Sequence, residues 1–523
     1  MNTTYSERSF DETSRCTAAL LVLILLIATF LRAWGIAFGL PFIFHADEPF
    51  HVDIAQQMFK TGNLEPPFLT YPSLSFYLNA LAYVPYFLVG KRLGVFTTPA
   101  DIPAPQMLAM GVGRTAMPTT FLLWRCLSAV YGIASVALIF LAGMRLSRDR
   151  RVALLAALAL AVSPTNVRYG QLITPDILAT LWGVLCVYAS LGIANRGRLQ
   201  DYVLAGVAGG LAVGSKYNAA LLLLPIVLAH FLSRGKKGLA DGRLYLALLL
   251  CGVVFLLTTP FALLAWPRFW EHISFDRSHY AKGHLGGEGD SLRWYLSYLW
   301  QSEGPLVLFS LFALVHSALA RHKQRIIVSI TSILYAAFVC SFTVHNDRTI
   351  LPIVPFCVLL GASGVVRVYD LIRDRWPQVR MRGRIEAVGA VLLALALIVP
   401  VARTIQRNVR QVSIDSRITA SLWIAANLPK GSHIALEAYT PWVDPDVFHV
   451  KGFGHLYDQP AKWYAENGFQ YLVFGELMYD RFYREPERYA SQVAKYEELF
   501  HALRPVRIFN DGGYEVRIYQ VVP

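Results

Sequence analysis

About eleven apolar segments run through this 523-residue chain, and they limit its fold more than any other feature. An apolar helix needs about 20 residues to cross the hydrocarbon core of a bilayer, and most of these segments approach that length. Spans are predicted at residues 17–39, 121–144, 152–165, 173–194, 201–214, 218–233, 244–265, 304–320, 325–344, 349–369 and 386–403. Only 16% of the residues are charged, against about a quarter in soluble domains, so the sequence indicates a polytopic α-helical membrane protein.

Positive charge is concentrated in every second loop of this pattern. The basic residues cluster in the loops at 145–151, 196–198, 234–243, 321–325 and 367–384. Cation-rich loops of membrane proteins stay on the cytoplasmic side, so these loops are predicted to be cytoplasmic. An odd number of spans then places the N-terminus inside and the region after the last span outside. This pattern accounts for most of the net charge of +13, and no nucleic-acid partner is predicted.

One further apolar segment, residues 72–94, is predicted to lie on the outer surface of the membrane instead of crossing it. Counting it as a span would move the basic loop at 145–151 to the outside, against the distribution of charge. The membrane domain is therefore predicted to cover residues 1–406, with outer loops at 41–120 and 267–303.

The character of the chain changes at residue 407. From there to residue 523, helical and strand-like patterns alternate and end in a hairpin signal, Asp511-Gly512-Gly513. Helices are predicted at 418–428, 461–467 and 488–503, and strands at 433–438, 471–474, 506–509 and 514–521. A small soluble extracytoplasmic α/β domain is expected at 407–523.

Acidic residues are scarce on the predicted outer side, so each is a candidate for chemistry. The first pair, Asp47 and Glu48, follows the first span within His45-Ala46-Asp47-Glu48-Pro49. Proline favours the first helical turn, so both acids lie at a helix N-terminus, where negative charge is favourable without any function. Alternatively, a carboxylate at the mouth of the helix bundle accepts a proton from an acceptor hydroxyl. Taken alone, these residues leave both interpretations open.

A second acid, Asp176, lies at the start of the fourth predicted span. Thr174 is predicted to be the N-cap and Pro175 the first helical residue, and the helix dipole by itself could explain an acid there. A carboxylate so close to an apolar span is nevertheless costly unless it faces a wet cavity. The predicted topology places Asp176 on the same outer side as Asp47, which favours a functional role for both.

Two cations, Lys216 and Arg348, also fall on the predicted outer side. Each could simply extend to the membrane interface, as isolated cations at span ends usually do, or could bind the phosphate of a lipid headgroup. The residues alone do not decide between these roles. The histidines in the glycine-rich loop at 267–303 match no standard ligand spacing, and no metal site is predicted.

The order of these motifs resembles the GT-C membrane glycosyltransferases, in particular the protein O-mannosyltransferases and the bacterial lipid A aminoarabinose transferases. The resemblance covers about residues 17–370 and rests on Asp47-Glu48, Tyr71-Pro72-Ser73-Leu74, Pro175-Asp176, the glycine-rich segment 210–217 and the segment 348–352. Lipid A transferases tend to carry a lysine beside the first-loop proline, where this chain has Leu69-Thr70-Tyr71-Pro72. The resemblance therefore does not extend to the aminoarabinose specificity.

The resemblance implies an inverting displacement at the anomeric carbon of a sugar on a polyprenyl phosphate, with a protein, lipid or glycan acceptor. By match, Asp47 is the general base, Glu48 orients it or binds the acceptor, and Asp176 assists in the pocket. Lys216 and Arg348 hold the phosphate leaving group. Substrate-binding residues are expected at His45, Tyr71, His279, Tyr280 and Glu288. Some members of the wider superfamily use a divalent cation, and no requirement for one follows from these residues.

Two other classes of function were weighed for a polytopic chain. A transporter or lipid flippase often has inverted repeats and helices broken near the midplane, and the sequence indicates neither. A membrane scaffold whose soluble domain binds a partner does not require acids and cations on one side of the membrane. A transferase is therefore the preferred prediction, and the resemblance of the tail to the outer domains of bacterial members implies a bacterial inner membrane.

Overall fold

The structure, a computed structural model, describes residues 2–283, 285–375 and 382–522, with side chains from residue 15 onwards except that of residue 382. The chain forms two compact units. The first, called the helical unit, comprises Met1–Trp34, Glu65–Leu78 and Arg125–Arg407. The second, called the mixed unit, comprises Gly35–Leu64, Asn79–Trp124 and Asn408–Pro523.

Helices make up most of the chain. The first nine are α1 (Asn2–Ala33), α2 (Glu48–Thr61), α3 (Leu74–Arg92), α4 (Pro118–Ser147), α5 (Arg150–Val162), α6 (Pro164–Tyr169), α7 (Asp176–Arg196), α8 (Leu199–Ser215) and α9 (Leu224–Arg234). The next nine are α10 (Gly242–Thr258), α11 (Phe261–Leu264), α12 (Trp266–Lys282), α13 (Ser291–Glu303), α14 (Leu306–Leu319), α15 (Lys323–Cys340), α16 (Asp347–Ile350), α17 (Val354–Arg375) and α18 (Arg382–Val412). The last four are α19 (Ser416–Asn427), α20 (Ala461–Glu466), α21 (Glu476–Tyr483) and α22 (Ala490–Ala502).

Seven helical segments within the described residues are long and apolar enough to cross a membrane. They are Arg15–Ala33, Pro118–Ser147, Asp176–Arg196, Tyr217–Ala240, Lys323–Cys340, Asp347–Arg375 and Gly383–Asn427. The other four segments predicted from the sequence coincide with the shorter helices α5, α8, α10 and α14. The total of eleven spans stays a prediction, because these shorter helices do not by themselves match the thickness of a bilayer.

The break between α13 and α14 was not predicted from the sequence. Helices α13 and α14 meet at an angle of 114° across a two-residue break, and counting them as one span would give an eighth. The break contains Gly304, whose φ of +60° suits a residue without a side chain, and Pro305, which has no amide hydrogen to continue the helix.

The mixed unit contains more of the chain than the soluble domain predicted at 407–523. Residues 35–64 and 79–124, which include most of the first outer loop predicted at 41–120 and the ends of the two flanking predicted spans, cluster with the C-terminal residues. Helix α3, the predicted surface helix, is 19 residues long and is not among the seven candidate spans.

Two sheets lie in the mixed unit. Their strands are β1 (Phe42–Ile43), β2 (Gln106–Ala109), β3 (Val112–Arg114), β4 (His433–Leu436), β5 (His449–Gly452), β6 (Tyr471–Gly475), β7 (Arg504–Phe509) and β8 (Val516–Gln520). The smaller sheet is antiparallel with the order β1-β3-β2. The larger has the order β5-β4-β6-β8-β7, in which β5, β4 and β6 are parallel and β8 runs antiparallel to both neighbours.

The C-terminal elements agree closely with the sequence prediction. All three helices and all four strands predicted after residue 407 are present, and the Asp511-Gly512-Gly513 turn joins β7 to β8. Strand β5 and helix α21 had no counterpart in the prediction. Strand β5 has only four residues and alternates between exposed and half-buried positions, so it lacks the apolar pattern that identifies a buried strand.

Candidate active site

Asp176 and Lys216 form an ion pair in the helical unit. Asp176 is the first residue of α7, and its carboxylate accepts a hydrogen bond from Nζ of Lys216. The exposed fractions of the two side chains are only 1% for Asp176 and 14% for Lys216. Removing one member of a buried pair leaves an uncompensated charge, at a cost of about 3–5 kcal/mol. The ion pair therefore holds both charged groups in place.

The start of α7 differs by one residue from the prediction. Pro175 is the N-cap and Asp176 the first helical residue, whereas Thr174 was predicted as the N-cap. Within the described part of the chain, the buried hydroxyl of Thr174 has no hydrogen-bond partner, so it does not cap the helix. The backbone of Pro175 begins the helix because its fixed φ, here −73°, already suits helical geometry.

The glycine-rich segment before Lys216 allows α8 to pack closely against α10. A Cβ atom at Gly206 would lie 2.4 Å from the carbonyl oxygen of Ala247, and one at Gly210 would lie 2.7 Å from that of Cys251. Small residues permit such backbone approach between membrane helices. Helix α8 ends at Ser215, and Lys216 follows in extended backbone, with φ of −155°. The close packing thus sets the position from which Lys216 reaches Asp176.

Asp276, in α12, interacts electrostatically with the two cations that were predicted to bind phosphate. Burial raises the pKa of its carboxyl, while the charges of His279, Arg348, His272 and Lys216 act in the opposite direction. The spacing of His272, Asp276 and His279 places them on one face of α12. Lys216 and Arg348 therefore both lie within electrostatic range of this carboxylate.

Asp347, next to Arg348, is held by two residues of the short helix α6. Arg168 forms an ion pair with its Oδ2, and the hydroxyl of Tyr169 donates a hydrogen bond of 2.7 Å to its Oδ1. Asn346 caps α16 by accepting a 3.0 Å hydrogen bond from the amide of Thr349. The backbone on both sides of Arg348 is thus fixed by hydrogen bonds.

Three of the predicted substrate-binding residues, His279, Tyr280 and Glu288, lie in or beside α12. The carbonyl of Tyr280 accepts a 3.4 Å hydrogen bond from the amide of Val344, and Glu288 forms a β-bridge with Val344. The segment that leads to Arg348 is therefore joined to the predicted outer loop.

Tyr71 lies in the part of the first outer loop that belongs to the helical unit. Its ring is 6.3 Å from that of Phe68. The neighbouring Leu69 donates its amide to Nδ1 of His272 at 2.9 Å and accepts a 3.0 Å hydrogen bond from the hydroxyl of Tyr217. These bonds connect the loop to α12 and to the residue after Lys216.

The other predicted site residues, His45, Asp47 and Glu48, lie in the mixed unit. Helix α2 starts at Glu48, whose side chain is fully buried, and it ends at Gly62, whose φ is +72°. Asp47 is the N-cap and is partly exposed, and its amide donates a 3.2 Å hydrogen bond to Nδ1 of His45.

Helix capping does not account for Asp47. An N-cap aspartate typically accepts a hydrogen bond from an amide in the first helical turn. In the described range 2–283, the carboxylate of Asp47 makes no such capping bond to α2. One structural explanation for an acid at this position is thereby removed, although the favourable dipole at the helix start remains.

The sequence analysis missed several members of the charged cluster in the helical unit. Asp276, His272, Arg168 and Asp347 were not among the predicted site residues. The i, i+4, i+7 spacing of His272, Asp276 and His279 was a usable signal once a helix was assigned there. Among the described residues, no three His, Cys, Asp or Glu side chains are grouped to hold a metal ion.

Part of the chain matches a known family by sequence. Residues 119–261 match the profile of the family described as dolichyl-phosphate-mannose-protein mannosyltransferase. The match includes Asp176 and Lys216 and leaves out Asp47 and Arg348. No curated protein sequence matches the chain.

Solved structures resemble the chain over nearly its whole length. The ArnT of Cupriavidus metallidurans in the apo state matches with a TM-score of 0.55 and 16% identity, over 98% of each chain. The same protein bound to undecaprenyl phosphate gives 0.52 and 16%, over 96% of this chain and 98% of that one. The oligosaccharyltransferase AglB of Archaeoglobus fulgidus, in complex with an inhibitory peptide and a dolichol-phosphate, gives 0.52 and 13%, over 98% and 74%.

These matches and the seven apolar helices identify a multi-pass membrane protein. At such low identity, the solved structures establish the fold. The resemblance proposed from the order of motifs is confirmed for the fold as a whole, and by sequence for residues 119–261.

Proposed function

The chain has the fold of the GT-C membrane glycosyltransferases, and from that premise we propose that it moves a sugar from a polyprenyl-phosphate carrier to an acceptor. One observation supports this function above the others. In the helical unit, the charges of Lys216 and Arg348 both act on the carboxylate of Asp276, and Lys216 is paired with the buried Asp176. Two cations held by acids suit a phosphate-bearing substrate that enters beside an apolar bundle.

Lys216 and Arg348 stabilise the leaving group. The donor sugar is bonded to a phosphodiester, and negative charge grows on the bridging oxygen as its bond to the anomeric carbon breaks. Cations already fixed by neighbouring acids stabilise this charge without reorganising during the reaction. The Asp176–Lys216 pair fixes Lys216, and the Arg168–Asp347 pair fixes the residue next to Arg348.

Asp47 is the general base in this proposal. An acceptor oxygen or nitrogen forms a bond to the anomeric carbon while the bond from that carbon to the phosphate oxygen breaks. The acceptor's proton passes to the Asp47 carboxylate, and the carrier leaves as a phosphate monoester. A single displacement inverts the anomeric configuration and needs one base. Glu48 orients the base or binds the acceptor, and Asp176 assists in the pocket.

Donor and acceptor are proposed only by class. The carrier is a polyprenyl phosphate, and the acceptor is a protein, lipid or glycan. The charge distribution supports a cytoplasmic N-terminus and an extracytoplasmic C-terminal domain. We place the protein in a bacterial inner membrane, so transfer takes place on the outer face. No step is routed through a metal, because the described residues offer no group of ligands for one.

A transfer assay tests this function. The wild-type protein in nanodiscs is given a panel of radiolabelled polyprenyl-phosphate sugars with membrane extract as acceptor, and transferred label is measured. Transfer that is lost in a folded Asp47→Asn variant with intact donor binding supports the enzyme and its base. Equal transfer by both proteins removes Asp47 from the mechanism, and no donor binding by the wild type refutes a polyprenyl-phosphate transferase.

The break between α13 and α14 supports one second candidate, a lipid flippase. Glu303, the last residue of α13, is 2% exposed and accepts a 2.6 Å hydrogen bond from Ser163 Oγ at the break between α5 and α6. Broken helices with a buried acid are common in transporters. Movement of a fluorescent polyprenyl phosphate across vesicle membranes, without any sugar transfer, would favour this candidate. Transfer without movement would exclude it.

A further inference from the structure

The segment that carries Asp47 is built into the mixed unit by strand pairing. Phe42 and Ile43 of β1 pair with Arg114 and Gly113 of β3. The amide of Thr115 donates a 2.9 Å hydrogen bond to the carbonyl of Pro41. Residues 41–44 therefore cannot move relative to β3 without breaking these hydrogen bonds. Asp47 follows only three residues later.

The β2–β3 hairpin is in turn packed on the C-terminal part of the same unit. The amide of Tyr439 donates a 2.8 Å hydrogen bond to the carbonyl of Met110 in the hairpin turn. At Gly111, where φ is +69°, a Cβ atom would lie 2.4 Å from the ring of Tyr439. On the other side, a Cβ at Gly452 would lie 2.0 Å from the carbonyl oxygen of Leu108. Only glycine fits at both positions, so the β2–β3 hairpin packs against the C-terminal part of the unit without a gap.

Arg417 of α19 contacts Phe44, three residues before Asp47. Its guanidinium carbon lies 3.8 Å from the centroid of the Phe44 ring. Asp415 fixes the same guanidinium with two hydrogen bonds, 2.9 Å from Nε to Oδ1 and 2.7 Å from Nη2 to Oδ2. Arg417 is 5% exposed and Phe44 is 8% exposed, so water screens this contact little. A desolvated cation–ring pair contributes about 2 kcal/mol.

One nitrogen of the Arg417 guanidinium lacks a hydrogen bond, and this supports the Phe44 ring as its partner. Its buried Nη1 atom has no hydrogen-bond partner among the residues that the structure describes. A buried N–H without a partner costs about 1–3 kcal/mol. The negative face of the Phe44 ring partly offsets this cost, because it attracts the guanidinium charge. Arg417 is thus directed at Phe44 and not only at Asp415.

We propose that Arg417 is a positioning residue, through which the C-terminal domain fixes the Phe44–Asp47 segment and hence the general base. The inference rests on the proposed function, because Asp47 is a base only if the protein transfers a sugar. Arg417 itself touches neither donor nor acceptor in this role. It acts on the acceptor half of the reaction, while Lys216 and Arg348 act on the donor half.

Three variants and one control test the role of Arg417. Arg417→Ala removes the guanidinium. Phe44→Leu keeps an apolar side chain and removes the aromatic face, and Phe44→Tyr keeps that face. Arg507→Ala is the matched control, because Arg507 also lies over rings of the same domain, 5.5 Å from Trp423 and 5.1 Å from Phe509. Arg507 is an exposed residue of β7, outside the contact with the hairpin.

Kinetics separate positioning from a general loss of structure. We expect Arg417→Ala and Phe44→Leu to lower kcat about 10- to 100-fold with the donor KM within about twofold of wild type, since small misplacements of a base cost such factors. Phe44→Tyr keeps at least about half of the wild-type kcat, and Arg507→Ala is unchanged. Wild-type kcat in folded Arg417→Ala and Phe44→Leu proteins would overturn the inference, as would a loss of kcat matched by a loss of donor affinity.

Hydrogen exchange tests the contact without relying on activity. The backbone amides of residues 44–50 should exchange at least about tenfold faster in Phe44→Leu than in wild type or Arg507→Ala. Unchanged exchange in both Phe44→Leu and Arg417→Ala contradicts the positioning role, whatever the activity. If the wild type transfers no sugar but exchange rises as expected, the proposed function fails while the contact between Arg417 and Phe44 stands.

Discussion

The two acids singled out by the sequence, Asp47 and Asp176, are held in place by different physical means. Asp176 is buried at the start of a long apolar helix, and a direct ion pair with Lys216 balances its charge. Asp47 is partly exposed, and its position depends on strand pairing and on an aromatic contact made by neighbouring residues. Asp176 is thus held by a direct ion pair and Asp47 by the packing of the segment that carries it.

The largest expected effect comes from neutralising Asp47. Asp47→Asn should lower transfer about 10²- to 10⁴-fold, the usual contribution of a general base. Donor binding should stay at the wild-type level, because Lys216 and Arg348, and not Asp47, are proposed to hold the phosphate. Asp53→Asn, a change of the same kind on the same helix, serves as the control and should leave kcat unchanged. A comparable loss in both variants would mean that α2 tolerates no neutral substitution, and it would contradict a specific role for Asp47 as the base.

Breaking the Asp176–Lys216 pair should affect both donor binding and stability. Lys216→Met leaves a buried carboxylate without its partner, so the melting temperature should fall and the donor KM should rise at least about tenfold. The double variant Lys216→Met/Asp176→Asn should recover much of the stability and none of the donor affinity.

The Arg145–Asp201 pair provides the control for this experiment. Its charges are 2.9 Å apart, and Asp201 is nearly buried. Asp201→Asn should lower the melting temperature without changing the donor KM. A change of donor KM in Asp201→Asn would show that the effect at Lys216 reflects stability and not phosphate binding.

Weakening the hold on Arg348 should have a smaller effect. Asp347→Asn removes the charge that Arg168 and Tyr169 share, and we expect the donor KM to rise about tenfold with kcat reduced less. Tyr169→Phe removes one hydrogen bond only and should cost about 1 kcal/mol, or roughly fivefold in KM. Asp370, which pairs with Arg151 at 2.9 Å, offers a control in Asp370→Asn. An equal rise of KM in that control would contradict a specific role for Asp347.

The smallest effect concerns the pH dependence of the mixed unit. Burial raises the pKa of Glu437 to about 7, against hydrogen bonds from Tyr496, Leu456 and Gly475. The folded state favours the protonated carboxyl. Its contribution to the free energy of unfolding is therefore complete below about pH 4.3 and is lost as the pH rises through 7. The melting temperature should therefore decline between pH 5 and 8 in wild type and less steeply in Glu437→Gln. Parallel curves for the two proteins would refute this assignment.

Local patterns in the sequence were enough to predict most individual elements. The Asp511-Gly512-Gly513 hairpin, the end of α2 at Gly62 and the membrane helices follow from turn chemistry, capping and apolar length, which operate over a few residues. The predictions that failed at this level concern single residues, such as Thr174 as a cap, or the α13–α14 break. Gly304-Pro305 was visible in the sequence but was read as the start of a span.

The sequence by itself determined the class of protein, the order of its elements and the acids and cations worth testing, because composition and local propensity are properties of short segments. Only the tertiary structure decided which charges meet. Electrostatic attraction depends on distance in space and not on separation in the sequence. The pairing of Lys216 with Asp176, and of Asp347 with Arg168, therefore depends on how the helices pack. The contact of Arg417 with Phe44 likewise depends on the fold, because close packing joins two segments from opposite ends of the chain.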